Sequence, residues 1–207
     1  MDVNTGAILA MVTTDGYDLN NPYELSAKDK KKIKSTAKSK QAEAESAALS
    51  AKWRNKAVAD TYMPGSVFKM CVASAALEEN LVNDKTSFTC TGSIEVEREI
   101  LHCSNREGHG TQSFVEAISN SCNPAFVQIG QMLGASKFRQ YYQGFGFSDK
   151  TGIDLPGEAD DEFWADGKMG GVDLAVASFG QNFTITPIQM ITACAAVSNG
   201  GYVVQPH

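Results

Sequence analysis

Long apolar runs, paired cysteines and a surplus of basic residues are all missing from this sequence, and each absence removes a class of function. No stretch approaches the roughly 18 apolar residues that cross a bilayer, and the N-terminus lacks the charged and apolar regions of a signal peptide. The chain itself therefore discloses no compartment. A formal net charge of -6 and a pI near 5.1 leave no basic face for phosphates, which argues against a nucleic-acid partner. The one basic cluster, residues 28–40, shares its stretch with Glu24, Asp29, Glu43 and Glu45 and reads as a solvated helix face or linker. The cysteines, Cys71, Cys90, Cys103, Cys122 and Cys194, include no C-x-x-C pair, and His102, His109 and His207 are scattered. Neither a metal site nor a cofactor is expected from that spacing. An odd cysteine count leaves at least one thiol free.

What is present is enough to bury one core: 207 residues, 43% hydrophobic and 20% charged, predict a single globular domain. Asp2 to Gly6 followed by the apolar run Ala7 to Val12 predicts a turn entering a buried strand, a hairpin remnant over 1–13. Residues 24–56 are rich in Lys, Ala, Glu and Ser and predict a polar, weakly anchored helical insertion. Residues 57–207 read as a helical core. In it, Ser66 to Leu77 is apolar on nearly every face, as a central helix should be. A hairpin is expected between Thr86 and Cys103 and a helix from Thr111 to about Asn120. A further helix opens at Pro124 and runs to Leu133, and a last one starts at Thr186-Pro187 and ends at Asn199-Gly200-Gly201. Tyr202 to Val204 begins another strand.

Two short patterns carry chemistry. Ser66 and Lys69 form Ser-x-x-Lys, and three residues along a helix bring both side chains to one face, about 5–6 Å apart at Cβ. A serine hydroxyl is a poor nucleophile until a base takes its proton, and a lysine is such a base only where burial lowers its pKa. Ser35 to Lys38 matches the same pattern, but in a solvated, lysine-rich stretch. Ser66 instead opens an apolar helix behind Pro64-Gly65, where a helix N-terminus also favours developing negative charge. Ser121-Cys122-Asn123 is the only Ser-x-Asn, in a loop before Pro124; alone it would read as helix capping.

Ser-x-x-Lys followed by Ser-x-Asn is the signature of penicillin-binding proteins and serine β-lactamases. The chain resembles class B penicillin-binding proteins in particular. The resemblance extends through Trp53 to Val58, Asp60-Thr61-Tyr62, Pro64-Gly65-Ser66, Gly108-His109-Gly110, Ser121 to Pro124, Thr151 to Glu158, Gly180-Gln181 and Thr186 to Gln189, in family order. Cys122 within the second motif and two cysteines upstream of it look most like those of Gram-positive branches, including sporulation-type enzymes. The implied fold is the α+β serine transpeptidase and β-lactamase-like architecture, with its helical region largely present and its antiparallel sheet incomplete. The family's third motif, Lys-Thr-Gly or Lys-Ser-Gly, is matched literally by Lys150-Thr151-Gly152. That triplet lies in turn-rich sequence before Pro156 and ahead of Thr186-Pro187, so it reads as a decoy, and the working triplet is expected beyond His207. On that expectation a partial domain, 1–207, has little activity alone.

The resemblance implies a D,D-transpeptidase that cross-links peptidoglycan stem peptides ending in D-Ala-D-Ala and is acylated by β-lactam antibiotics. Ser66 would be the nucleophile, Lys69 its base, Ser121 a proton relay and Asn123 a ligand for the acyl amide. It also implies an extracytoplasmic catalytic domain anchored by an upstream segment, with cell-wall synthesis proteins as partners. A serine β-lactamase or β-lactam sensor shares the first two motifs, and a catalytically silent structural module is the remaining alternative. Cys103 and Cys122, one before the Gly108 to Gly110 loop and the other inside the second motif, form a candidate redox pair. Cys90 with Cys103 across the expected hairpin is the competing disulfide, and buried free thiols are the third reading.

Overall fold

The computed structural model describes residues 1–14, 16–159, 163–164 and 167–207. Helices α1 (Ala27–Lys34) and α2 (Gln41–Trp53) follow one another across a 3-10 turn at Lys38–Lys40, and neither helix buries a side chain. Lys, Ala and Glu sustain a helix by propensity but give it no apolar stripe to pack. The pair is held at its edge, where Trp53 Nε1 donates to the Pro22 carbonyl at 2.8 Å and meets Tyr23 edge-on at 5.3 Å between ring centres. The short helix α3 (Lys56–Ala59) is capped by Asn55, whose side chain accepts from the Ala57 amide at 3.1 Å.

Helix α4 (Lys69–Glu78) begins three residues later than the sequence predicts, because Gly65–Phe68 forms a 3-10 turn first. Nor is the segment buried all round: Val67 and Leu77 are exposed. Four short strands come next: β1 (Ser87–Cys90), β2 (Ser93–Val96), β3 (Glu99–His102) and β4 (Gly110–Ser113). The hairpin expected between Thr86 and Cys103 is only its inner half. β2 pairs with β3, while β1 pairs antiparallel with β4, placing Cys90 opposite Gly110. The helix expected from Thr111 is displaced accordingly and becomes α5 (Phe114–Ser119). Its start is set by a capping box, Ser113 Oγ accepting from the Glu116 amide while the Glu116 carboxylate accepts from the Ser113 amide.

Helix α6 (Asn123–Gly144) carries proline in its first turn and is broken at Gly134, whose φ of 74° leaves helical space. α7 (Gly171–Ala177) was not singled out from sequence, and α8 (Pro187–Ser198) opens with a second capping box between Thr186 and Gln189. α4 packs against α6 and α8, and α6 against α7. Phe68, at the end of the 3-10 turn, anchors this arrangement. Its ring lies 4.8 Å from Phe183, 5.4 Å from Phe147 and 5.9 Å from Phe138, so the turn bearing Ser66 is fixed to the centre of the core.

The two terminal segments meet without forming strands. The Ile8 amide donates to the His207 carbonyl at 2.8 Å and the His207 amide to the Gly6 carbonyl at 3.2 Å. Leu9 and Val12 are exposed, so the strand expected over Ala7 to Val12 is neither buried nor regular. A ladder this short is too weak to stand alone.

α6 and α7 approach so closely that a Cβ on Gly130 would lie 1.7 Å from Ser178 Oγ, itself fully buried and donating to the Leu174 carbonyl at 2.6 Å. Gly130→Ala must therefore spread the two helices. The expected result is a loss of about 1–3 kcal/mol, read as a lower denaturant midpoint with an unchanged slope.

Candidate active site

Ser66 is exposed, and Lys69 is buried directly behind it. The 3-10 turn explains this better than a regular helix would, because residues three apart eclipse one another in that geometry. Two glycines shape the turn. Gly65 has φ of 58° and its amide donates to the Gly180 carbonyl at 2.7 Å, while a Cβ on Gly180 would fall 2.0 Å from the Gly65 carbonyl oxygen.

The Lys69 amine is surrounded by acceptors. Nζ lies 3.2 Å from Ser66 Oγ, 2.9 Å from Ser121 Oγ, 2.7 Å from the Ser121 carbonyl and 2.7 Å from Asn123 Oδ1. Its ammonium has three protons for these four oxygens, so the hydrogen bonds are shared. Asn123 is oriented from its other side, where Nδ2 donates to the His102 carbonyl at 3.0 Å. Burial pushes the Lys69 amine down to about 8, against an upward pull from the sulfurs of Cys122 and Cys103. A lysine so shifted exists partly as the neutral amine near neutral pH, and the 3.2 Å contact can then run in reverse, with Ser66 donating its proton.

Ser121 reaches this position at a local cost. After α5 the Ser121 amide donates to the Ile118 carbonyl at 3.0 Å and the Cys122 amide to the Ala117 carbonyl at 3.0 Å, the pair of bonds of a Schellman motif. Serine therefore occupies the left-handed position that glycine usually takes, with φ of 48°. Glycine would relieve the strain but would also remove the hydroxyl that meets Lys69.

Lys150-Thr151-Gly152 lies in a different environment. The Thr151 amide and hydroxyl donate to Glu158 Oε1 at 2.7 and 2.6 Å, and the Gly152 amide donates to Oε2 at 3.2 Å, so a carboxylate occupies the turn. A cavity of about 1120 Å³ lies among Leu25, Ile33, Ala48 and Lys52, and none of Ser66, Lys69, Ser121 and Asn123 lines it.

A second cluster was missed from sequence. Cys90, Cys103, His109 and Cys122 converge, with one ligand atom from each lying within 4.8 Å of all the others. They come from the end of β1, the residue after β3, the loop before β4 and the cap of α6, so local spacing gave no sign of them. All five cysteines stand as thiols in the structure, and the sulfurs of both candidate pairs, Cys103 with Cys122 and Cys90 with Cys103, fall inside this cluster; Cys90 and Cys103 do not meet across one hairpin, since β1 pairs with β4 and β2 with β3.

A sequence profile described as the penicillin binding protein transpeptidase domain matches residues 1–207. The chain belongs to the penicillin-binding protein transpeptidase family. Stage V sporulation protein D of Bacillus subtilis (strain 168) is 44% identical over 155 residues, which are 74% of this chain and 24% of that protein. Peptidoglycan D,D-transpeptidase MrdA of Acinetobacter baumannii is 28% identical over 223 residues, covering 100% of this chain and 31% of the relative. This transpeptidase chain thus spans about a quarter to a third of the length of those two relatives. The apo TP domain of Burkholderia pseudomallei penicillin-binding protein 3 aligns with a TM-score of 0.69 at 22% identity, over 72% of this chain and 45% of that one. That likeness establishes the shared α+β fold, here with two small antiparallel sheets among the described residues.

Within the family fold, the strain at Ser121 is separable from its hydroxyl. Ser121→Ala and Ser121→Gly both lose the hydroxyl contact with Lys69 and keep the carbonyl one, but only glycine relieves the left-handed backbone. The glycine variant is expected to be the more stable by on the order of 1 kcal/mol in chemical denaturation.

Proposed function

We propose that the protein carrying this chain is a D,D-transpeptidase that works through a serine acyl-enzyme. The observation that carries the reading is the shared contact of one buried amine with Ser66, Ser121 and Asn123. Neutral Lys69 accepts the Ser66 proton as Oγ attacks the carbonyl of a stem peptide ending in D-Ala-D-Ala. The tetrahedral intermediate collapses when the D-Ala amine leaves with a proton relayed through Ser121 Oγ from Lys69. An amine of a second stem peptide then attacks the ester, the same groups carry its proton back, and Ser66 is released. Asn123 keeps Lys69 in place and offers its amide to the acyl chain. β-Lactams enter the first half of this cycle and stop at the ester, because their strained amide imitates the scissile bond. The reaction belongs on the extracytoplasmic face of the cell membrane, where peptidoglycan lies, with an anchor upstream of this chain and other cell-wall synthesis proteins as partners.

A labelled β-lactam tests the assignment. Mass spectrometry should map the adduct to Ser66, and Ser66→Ala should abolish it; an adduct on Ser35, or one that survives Ser66→Ala, would refute the assignment. Lys69→Ala should slow acylation by at least about 10²-fold, the typical contribution of a general base.

The pH dependence has a definite sign. The reactive form is the neutral amine, and the Lys69 pKa is lowered to about 8. The acylation rate should rise about tenfold per pH unit below that value and level off above it. A rate flat from pH 6 to 8 would remove Lys69 from the role of base.

A further inference from the structure

We infer that Cys90, Cys103, Cys122 and His109 form a tetrahedral zinc site beside the candidate active site. Three of the chain's five cysteines and one of its three histidines meet at a single point, with their ligand atoms within 4.8 Å of one another. Cys103 Sγ and His109 Nδ1 are 3.6 Å apart. Zinc holds sulfur at about 2.3 Å and imidazole nitrogen at about 2.0 Å, so the ligand atoms of a tetrahedral site lie roughly 3.5–3.8 Å from one another. The cluster is already near that spacing, and shifts of about an ångström would close it. A disulfide needs sulfurs at about 2.05 Å and would use only two of the four groups.

The surroundings fit metal-bound thiolates. Cys90, Cys103 and Cys122 are at most 2% exposed, so water does not compete for the ligands. Backbone amides of Asn105 and Asn123 point at the Cys103 sulfur, and that of Ala125 at the Cys122 sulfur, supplying N–H···S bonds that favour charged sulfur. Cys122 also caps α6, whose N-terminal dipole favours the net charge of about −1 of a zinc ion with three thiolates. His109 is delivered by a loop that only glycine permits. A Cβ on Gly108 would lie 2.3 Å from the Cys90 carbonyl oxygen, and one on Gly92 would lie 1.9 Å from that of Arg106. Binding is a ligand exchange without redox change: Zn²⁺ sheds its waters, three thiols release three protons to solvent, and neutral His109 donates its lone pair. Four protein ligands leave no open position, so the ion is structural. It ties β1, β3, the His109 loop and α6 together one residue from Asn123.

Metal analysis tests this in the protein purified under reducing conditions. The expected result is one zinc per chain, released by chelation. Cobalt substitution should give the intense visible bands of a tetrahedral site and a sulfur-to-cobalt charge-transfer band. Cys90→Ser and His109→Ala should each weaken zinc binding at least about tenfold, while Cys194→Ser, outside the cluster, should leave it unchanged. Because buried variants can misfold, the partly exposed His109 and the cobalt spectrum of the parent protein carry the decision. Reduced protein that takes up neither zinc nor cobalt, or a His109→Ala variant with parental affinity and spectrum, would overturn the site. So would a Cys103–Cys122 disulfide mapped in native protein whose reduced form still refuses the metal.

Discussion

An ammonium group buried behind Ser66 constrains the whole centre of this molecule. Removing such a charge from water costs several kcal/mol unless acceptors replace the lost hydration. The 3-10 turn ahead of α4 contributes only Ser66 Oγ, so the remaining acceptors must come from another element. They come from the α5–α6 connection, as the Ser121 carbonyl and hydroxyl and the Asn123 amide oxygen, all within 2.9 Å of Nζ. The register between α4 and α6 is thereby an electrostatic requirement as well as a packing one. The left-handed backbone at Ser121 follows from the same need, since the carbonyl and hydroxyl must both turn inward.

The same contacts serve reactivity because the balance is incomplete. Hydrogen bonds from the ammonium favour its charged form, and Cys122 and Cys103 pull the same way, yet burial lowers the pKa to about 8. Complete compensation would leave a lysine permanently charged and unable to accept a proton. No compensation would prevent the polar centre from folding. The Ser121 strain is in keeping with this intermediate condition, since backbone strain persists where the surrounding structure over-determines it. Here a capping box fixes one end of α5, and the Asn123 side chain, held by His102, fixes the start of α6.

The parts legible in the sequence were those encoded by neighbours in the chain. Ser-x-x-Lys could be judged against Ser35 to Lys38 because the apolar character of the following residues is local. Thr186-Pro187 announced α8, and Glu158 beside Lys150-Thr151-Gly152 accords with a turn there. What failed was pairing. β1 meets β4 across the whole β2–β3 hairpin, and no feature of Thr86 to Cys103 reveals a partner at residues 110–113. The strand expected at Ala7 to Val12 failed for the complementary reason: an apolar run predicts burial only if another surface arrives to cover it, and here Leu9 and Val12 remain exposed.

The β1–β4 pairing also accounts for the cysteine cluster. Bringing Cys90 opposite Gly110 sets the His109 loop against the end of β1, and the β2–β3 hairpin returns the chain to Cys103 at the same point. Short strands and a glycine loop would gain little stability from their own ladders. Their fixed position matters nonetheless, because the His102 carbonyl at the end of β3 holds Asn123, and Asn123 holds Lys69. A cross-link at Cys103, one residue beyond His102, and at Cys122, one residue before Asn123, would stiffen both ends of that relay. These four-residue strands would then be pinned where the candidate active site depends on them.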